Sequence, residues 1–368
     1  MELVVRKNDL LKELSLLQGI VERKNTIPIL ANVLLEASKD RVSLLATDLD
    51  VGLRSQCEAS VVKAGTLTLP AKKLFEIVSA LPDTEIRIEE DKGGKSVTVA
   101  ADRFESRMQT LPASEFPTPP DDEGGATVAL PGLALKRMIS HTRFAITSED
   151  TRYFLNGAQL VLQPDSLSMV ATDGHRLAFI RVQASPGAAA KGEVLLPRKT
   201  LNEVARLIDG AEAIEFSQGE NHLFFRAGRR LLISRRIDAN FPAYDRVIPK
   251  SNDKQIDFDR DRLAAAVRRV RLLSNERSKA VKFVIAKDQV DITSSTPEVG
   301  EAHEVLPVAY SGAAMQICFN ADYIDNFLSV VETETIQLEF KDEMSQAVVK
   351  PIGAEGYDYT YVIMPMRI

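Results

Sequence analysis

Apolar positions recur along the chain with two periods, about 3.6 residues and two residues, which are typical of helices and of strands. The first helical pattern covers residues 8–22, where apolar side chains stand at positions 10, 14, 17 and 21. The same period predicts further helices at 71–81, 131–144, 198–208, 260–273 and 321–331. Strand patterns fill the intervals, beginning at the N-terminus and continuing at 30–37, 41–46, 50–56 and 66–70.

The order of these patterns repeats along the chain. Each copy has a helix, several strands, a strand that leads directly into a second helix, and a final group of strands. Two helices packed against an antiparallel sheet make an α+β domain. Stretches rich in Pro, Gly and charged residues, 112–125 and 248–254, separate the copies. The sequence therefore predicts three similar domains, at 1–120, 121–250 and 251–368.

A turn signature also recurs. Thr172, Asp173 and Gly174 follow a buried strand pattern, and Asp and Gly are typical turn residues. The same Ala-Thr-Asp stands 125 residues upstream at 46–48, and a related segment at 292–295 lies 121 residues downstream. We expect the repeated Thr-Asp to be structural. The sequence Gly-His-Arg-Leu at 174–177 belongs to the middle copy alone, and there we expect function.

Three other functions would each require a recognisable set of residues. Asp173 and His175 could serve a metal-dependent nucleic-acid hydrolase, although no second His or Cys lies close by to complete a set of metal ligands. This enzyme stays open as the alternative. A nucleotide-binding loop at 93–96 is excluded, because position 89 is Glu where the motif requires Gly. A site-specific DNA-binding protein would need a helix-turn-helix or zinc-finger signature, which the sequence lacks.

Composition limits the class of protein. Hydrophobic residues make up 45% of 368 residues, enough for real cores, and no stretch approaches the ~18 consecutive apolar residues of a membrane span. The N-terminal segment lacks the pattern of a signal peptide. Cys57 and Cys318 stand in different copies, within apolar strand patterns. We expect reduced thiols, a cytoplasmic location, no membrane association, and neither a cofactor nor a bound metal.

Charge is distributed unevenly. The net charge is −6, yet the predicted helices with their flanking residues carry +6, which leaves −12 on the remainder of the chain. One interpretation is that this charge belongs to ordinary solvated helix faces, where Lys and Arg are common. The other is a basic helical surface that holds a polyanion in one place while the acidic remainder repels it.

Taken together with the repeat, a series of motifs resembles the bacterial DNA sliding clamps, the β subunits of the replicative DNA polymerase III. The resemblance covers the full length. Its motifs are Thr-Ile-Pro-Ile-Leu at 26–30, Ala-Thr-Asp at 46–48, Arg-Tyr-Phe-Leu-Asn-Gly at 152–157, Ala-Thr-Asp-Gly-His-Arg-Leu at 171–177, Leu-Pro-Arg-Lys at 196–199, Phe-Pro-Ala-Tyr at 241–244, Arg-Val-Ile-Pro at 246–249, Leu-Ser-Asn-Glu at 273–276 and Tyr-Val-Ile-Met-Pro-Met-Arg at 361–367.

The resemblance implies a non-catalytic processivity factor. Members of this family are head-to-tail homodimers of three-domain protomers that form a closed ring, with helices lining the hole. The ring encircles duplex DNA and slides on it, and it tethers the polymerase for processive synthesis. Implied partners are the polymerase III α subunit, the clamp loader and other replication or repair proteins, which bind through short linear peptides.

The family's pocket for these peptides lies between its second and third domains. Met suits such a pocket, because thioether side chains repack readily around different ligands. Carried over by motif, the lining would be Leu155, Thr172, Gly174, His175, Arg176, Leu177, Pro242, Arg246, Val247, Asn320, Tyr323, Met344, Val362, Met364, Pro365 and Met366.

The resemblance also assigns DNA contacts and a dimer interface. The DNA-binding residues would be Arg23, Lys24, Tyr153, Phe154, Arg198 and Lys199. Two residues in or near the Tyr153 segment depart from the family pattern. Glu149 stands where a neutral amide is expected, and Phe154 replaces a second Tyr. The dimer interface would join Leu272 and Leu273 to a first-domain edge strand that carries Met108.

Overall fold

The computed structural model describes residues 1–21, 27–122, 124–147, 149–184 and 191–367. Its helices and antiparallel sheets form two compact units. One unit comprises Met1–Leu133 and Lys199–Arg236, and the other comprises Ala134–Arg198 and Ile237–Ile368. Each unit therefore includes part of the middle copy of the repeat. The domain boundaries predicted from the sequence stay a prediction.

All six predicted helices are found, and each is shorter than its apolar pattern. The first ends at residue 17 instead of 22, because Gly19 and Ile20 donate to carbonyls three residues back and close a tight turn. Two helices begin at side-chain caps, where Asp259 accepts from the Arg262 amide and Asn320 from the Asp322 amide. The helices are α1 (Lys7–Leu17), α2 (Ala71–Ala80), α3 (Gly132–Thr142), α4 (Arg198–Leu207), α5 (Arg260–Val270) and α6 (Ala321–Leu328).

Two sheets form the first unit, one of five strands in the order β5-β1-β7-β8-β9 and one of eight in the order β10-β15-β16-β17-β4-β3-β2-β6. Three strands close the first copy where two were predicted. The strands are β1 (Glu2–Arg6), β2 (Asn32–Ser38), β3 (Arg41–Thr47), β4 (Val51–Glu58), β5 (Ser60–Lys63), β6 (Gly65–Pro70), β7 (Glu85–Glu90), β8 (Ser96–Ala101), β9 (Phe104–Gln109), β10 (Val128–Pro131), β15 (Ala213–Gln218), β16 (His222–Ala227) and β17 (Arg230–Arg235).

The second unit has a similar plan with one strand fewer in its smaller sheet: eight strands in the order β14-β11-β12-β13-β25-β24-β23-β18 and four in the order β21-β20-β19-β22. The strands are β11 (Gly157–Leu162), β12 (Ser166–Thr172), β13 (Arg176–Gln183), β14 (Gly192–Pro197), β18 (Lys254–Asp259), β19 (Ala280–Ala286), β20 (Gln289–Thr296), β21 (Gly300–Pro307), β22 (Met315–Asn320), β23 (Thr335–Phe340), β24 (Ala347–Ile352) and β25 (Tyr357–Ile363).

Each eight-stranded sheet continues from one copy of the repeat into the next. Strand β4 of the first copy pairs with β17 of the second, and β13 of the second pairs with β25 of the third. We call these pairings the first and second junctions. Strands β9 and β21 each lie at the edge of a sheet. Within the described ranges, no helix is long and apolar enough to cross a membrane.

Candidate functional site

The repeated Thr-Asp turn forms the tip of the β12–β13 hairpin. The Thr172 hydroxyl donates to the Arg176 carbonyl at 2.6 Å and accepts from the Gly174 amide at 3.1 Å. One carboxylate oxygen of Asp173 accepts from the His175 and Arg176 amides at 2.9 and 3.0 Å. Both polar side chains are thus used to hold the backbone of the turn, as expected for a structural signature.

Arg176 is held from several sides just after this turn. Its Nε donates to Asp173 Oδ2 at 2.9 Å and its Nη2 to the Phe144 carbonyl at 2.5 Å. The guanidinium also lies over the Tyr323 ring, 4.2 Å from its centroid. Among the residues described, Nη1 has no hydrogen-bond partner, although the side chain is only 10% exposed. A buried donor without a partner favours a ligand that supplies an acceptor.

Beneath the turn lies an apolar floor. Val170, Leu177, Val348 and Val362 form a buried cluster. The segment that precedes the third copy packs onto it through Phe241, Tyr244 and Ile248. The Tyr244 ring stacks on Phe179 with 5.5 Å between centroids. Side chains from β12, β13, β24 and β25 therefore provide an apolar surface, over which the chain entering the third copy is laid.

The C-terminal segment completes the site. The Met364 amide donates to the His175 carbonyl at 2.9 Å, and the Met366 amide donates to the Cys318 carbonyl at 2.8 Å. Met364, Pro365 and Met366 are half-buried, and Met344 is 51% exposed. Two backbone hydrogen bonds thus hold a Met-Pro-Met segment beside the Thr-Asp turn.

The remaining predicted lining residues differ in exposure. Leu155 is 4% exposed, and Val362, a member of the apolar floor, is 1% exposed, so neither offers much side-chain surface to a ligand. The Asn320 side chain caps α6 and also donates to the Ser278 carbonyl, which gives it a structural role. The exposed members are Gly174, His175, Pro242, Arg246 and Val247.

Arg152 was not predicted as a lining residue, although it begins a motif that carries the family resemblance. Its Nη1 donates to the Asp173 carbonyl at 2.9 Å, and its Nε and Nη2 donate to Glu149 Oε2. Phe144 and Tyr361 were missed as well. The contact of Phe144 with Arg176 and that of the two rings with each other depend on tertiary packing. Tyr361 had one sequence signal, because it begins the motif at 361–367.

The predicted DNA-binding residues are found in several environments. Tyr153 is 58% exposed and lies beside Phe154, with 6.0 Å between ring centroids. The charge of Glu149, a departure from the family pattern, is offset by its ion pair with Arg152. Arg23 and Lys24 lie outside the described residues.

Lys199 is not a freely solvated cation. Its ammonium forms an ion pair with Asp48, in the Thr-Asp turn of the first copy, and donates to the Ile20 carbonyl at 3.0 Å. Arg198 donates from Nη2 to the Ile146 carbonyl at 2.6 Å. Both side chains are half-buried, so each has a structural contact whatever it does towards DNA.

The positive charge predicted for the helices is partly neutralised by neighbouring acids. Near α5, Arg268 pairs with Asp325, Arg269 with Glu304, and Lys279 with Asp322. Asp322 and Asp325 belong to α6, the helix that carries net negative charge. Counting charges by helix therefore overstates the free positive charge around α5.

The predicted dimer residues differ in how exposed their side chains are. Leu272 is 76% exposed in the turn after α5 and Leu273 is half-buried, as an intermolecular contact would require. Met108 is only 8% exposed, and its place in the interface stays a prediction. On the same edge strand, Phe104 is the large apolar side chain that is open to solvent, at 41%.

The part of the chain that the structure describes contains no cluster of side chains suited to binding a metal ion. No group of three or more His, Cys, Asp or Glu side chains there could hold a metal ion. Both carboxylate oxygens of Asp173 are engaged in hydrogen bonds within its own hairpin. The hydrolase alternative, which depended on Asp173 and His175, gains no support from this geometry.

Comparison with known proteins covers the whole chain. Models of the DNA polymerase III beta subunit match in three parts, the N-terminal domain at 1–120, the central domain at 129–243 and the C-terminal domain at 245–367. Among curated proteins, the beta sliding clamps of Pseudomonas putida and Caulobacter vibrioides are both 37% identical, and that of Escherichia coli K12 is 33% identical. Each alignment spans 100% of both proteins.

Solved structures agree with these matches. A sliding clamp from Pseudomonas aeruginosa bound to griselimycin has a TM-score of 0.93 at 34% identity. One from Bartonella birtlesii, also bound to griselimycin, has a TM-score of 0.94 at 32% identity. Both alignments cover 100% of each chain. None of these relatives is named as a hydrolase.

Proposed function

The chain belongs to the DNA polymerase III beta subunit family of sliding clamps, and from this premise we propose that two copies close head to tail into a ring around duplex DNA. The observation that carries the proposal is the match of all three domain models in order along one chain. On this proposal, the domains follow the repeat at 1–120, 121–250 and 251–368. The protein works in the cytoplasm as a processivity factor.

The ring closes through the edge strands. Within the described residues, β9 and β21 each pair with another strand on one side only, and such edges pair readily with another strand. Leu272 and Leu273 supply apolar contact beside this pairing. Heterologous interfaces of this kind close when the rotation between copies allows it, and two identical interfaces then make a ring.

The second junction receives short peptides of partner proteins, among them the polymerase α subunit and the clamp loader. The apolar floor accepts bulky apolar side chains. Arg176 Nη1 is a buried donor, which suits a peptide carbonyl or the amide oxygen of Gln. Met344, Met364 and Met366 can repack around different sequences. The site thereby combines one fixed polar contact with an adaptable apolar surface.

DNA is held through phosphates and without sequence preference. Tyr153 can donate to a phosphate oxygen, whereas Phe154 can contribute only apolar contact. Arg23, Lys24, Arg198 and Lys199 supply positive charge. Direct affinity of this kind falls steeply with salt. Retention of a closed ring depends instead on whether the DNA has an end.

A topological experiment separates a clamp from an ordinary DNA-binding protein. The protein is loaded on nicked circular DNA by a clamp-loader ATPase, and the salt is raised until direct binding is lost. We expect retention on the circle and release once the circle is cut to a linear form. A matched variant with Leu272→Ala and Leu273→Ala should be released from both the circular and the linear DNA. Equal loss of the unmodified protein from circular and linear DNA would contradict the ring.

A further inference from the structure

The aspartate in the Thr-Asp turn of the first copy has two functions. One carboxylate oxygen of Asp48 accepts from the Asp50 amide at 3.0 Å and from the Val51 amide at 2.6 Å, and so holds the turn. The other oxygen forms an ion pair with the ammonium of Lys199, near the start of α4. Both oxygens of this carboxylate are therefore engaged within the first unit.

The corresponding turn of the second unit uses its aspartate in the same way. One oxygen of Asp173 accepts from the His175 and Arg176 amides, and the other accepts from Nε of Arg176 at 2.9 Å. Each Thr-Asp turn thus has one oxygen that holds the backbone and a second that fixes a cation. In the second unit this cation belongs to the proposed peptide site, whereas in the first it is a lysine assigned to DNA.

The surroundings of Lys199 stabilise the ion pair against solvent. The Asp48 side chain is 6% exposed and the Lys199 side chain 31%. Nζ of Lys199 also donates to the Ile20 carbonyl at 3.0 Å, in the turn that follows α1. Because the carboxylate is buried, water and salt screen this pair less than a pair on the surface. A DNA phosphate would therefore compete with two acceptors for the ammonium.

A second carboxylate lies close to the same ammonium. Glu203 follows Lys199 by one helical turn and is 7% exposed. Burial raises the pKa of its carboxyl, and the charges of Arg206 and Lys199 oppose that rise. Nη1 of Arg206 lies 3.4 Å from Oε2 of Glu203. With all groups ionised, these three side chains and Asp48 carry no net charge, so an approaching phosphate gains little attraction from the cluster.

We propose that the ion pair with Asp48 prevents Lys199 from binding DNA phosphates, so that the ring binds DNA less tightly than its assigned cations would allow. This role rests on the proposed function, because the prevented contact is one to duplex DNA. A phosphate that drew Lys199 away would leave a buried carboxylate without its counter-charge, which is costly. A ring retained by closure needs no tight phosphate contact, and each contact that must break slows sliding. The ion pair therefore favours sliding over direct affinity.

Asp48→Asn tests this role, because Asn keeps an oxygen for the turn amides and removes the charge that holds Lys199. Direct binding to a linear duplex is measured by fluorescence anisotropy at a series of salt concentrations. We expect Asp48→Asn to bind at least about threefold more tightly, with a salt slope steeper by about 0.9, the value for one added phosphate contact. Lys199→Met alone should change the affinity by less than about twofold and leave the slope unchanged.

Two controls distinguish release of the lysine from a general change in charge. Asp121→Asn removes another acid of the first unit, which is 82% exposed and pairs with Arg54, and it should raise the affinity less than Asp48→Asn does. In a Lys199→Met background, Asp48→Asn should raise the affinity no more than Asp121→Asn. An equal gain with and without the lysine, or no gain from Asp48→Asn, would overturn the proposal.

Unfolding in the absence of DNA measures the ion pair by itself. A double-mutant cycle of Asp48→Asn and Lys199→Met in denaturant should show stronger coupling than a cycle of Glu76→Gln and Lys73→Met, which removes an exposed pair. Equal coupling in the two cycles would overturn the proposal.

Two remaining outcomes are also decisive. If Asp48→Asn does not fold, a salt slope shallower by about 0.9 in Lys199→Met would show that the lysine already binds phosphate, and an unchanged slope would support the ion pair. An unmodified protein that neither binds the duplex nor stays on a circle would refute the proposed function instead.

Discussion

The guanidinium carbon of Arg176 lies 4.2 Å from the centroid of the Tyr323 ring. The same planar group bonds to Asp173 and to the Phe144 carbonyl, a combination that the ammonium of Lys cannot reproduce. We expect Arg176→Lys to weaken peptide binding about tenfold, from a Kd on the order of micromolar, as measured by fluorescence anisotropy. Arg181→Lys on the same strand is the control. Equal affinities for the two variants would show that Arg176 does not organise the site.

Gly174 connects backbone conformation to the same site. Its φ is 86°, and an added Cβ would lie 2.7 Å from Nη1 of Arg152, which bonds to the Asp173 carbonyl. Gly174→Ala should therefore cost about 1 kcal/mol of stability and reduce peptide affinity.

The equivalent position in the first unit provides a control for this substitution. Leu49 already holds a Cβ at a φ of 82°, so Leu49→Ala should change stability by less than about 0.5 kcal/mol. Thermal unfolding and peptide titration measure both effects. If Gly174→Ala and Leu49→Ala changed stability and peptide affinity equally, the close approach of Arg152 to residue 174 would have no effect on either.

Glu13 and Arg230 form a buried, bidentate ion pair in the first unit. Nε and Nη2 of Arg230 donate to the two carboxylate oxygens at 2.9 and 2.6 Å, and the side chains are 7% and 16% exposed. Glu13→Gln should cost about 3 kcal/mol in denaturant unfolding, because the guanidinium stays buried without its counter-charge. The exposed pair of Lys73 and Glu76 is the comparison, and Glu76→Gln should cost much less stability, because solvent screens that pair. Similar losses would mean that burial of the first pair is irrelevant.

The sequence predicted the elements of the fold well, because apolar period and turn chemistry are local. The six helices and the Thr-Asp hairpin at 172–176 are found where these signals stand. The continuation of β4 into β17 and of β13 into β25 was not predicted. Nothing in a strand's own residues specifies which distant strand will pair with its edge.

The same distinction holds for the candidate site. Residues carried over by motif include the turn and the Met-Pro-Met segment, which the structure brings together through the His175–Met364 hydrogen bond. The ion pair of Lys199 with Asp48 joins residues 151 positions apart, so the local sequence could not predict it. Met108 was carried over from a partial motif match, and because neighbouring residues on a strand lie on opposite faces, its place in the interface stays a prediction.

Acid should destabilise the protein in part through His141. Burial lowers the pKa of this imidazole, whose Nδ1 lies 2.8 Å from the Arg137 carbonyl beneath the Tyr357 and Tyr359 rings. In the unfolded chain it titrates near 6.5, so below that pH the unfolded state binds a proton that the folded state does not. Stability is therefore full above pH 6.5 and falls as the pH decreases towards the lower folded pKa. Melting temperatures at pH 7.5 and 5.5 should differ more for the unmodified chain than for His141→Gln. An equal difference would show that the buried imidazole does not contribute.

Assembly can be tested through a leucine that one chain leaves in solvent. Leu272 is 76% exposed, so it contributes little to the folding stability of a single chain, and its burial should stabilise only the dimer. We expect light scattering to give twice the chain mass, and Leu272→Ala with Leu273→Ala to raise the dissociation constant by at least about tenfold. Leu133→Ala removes another exposed leucine, 73% open to solvent, and should leave the dimer unchanged. A monomer of the unmodified chain at micromolar concentration would refute the interface, because closure of a ring needs two such contacts at once.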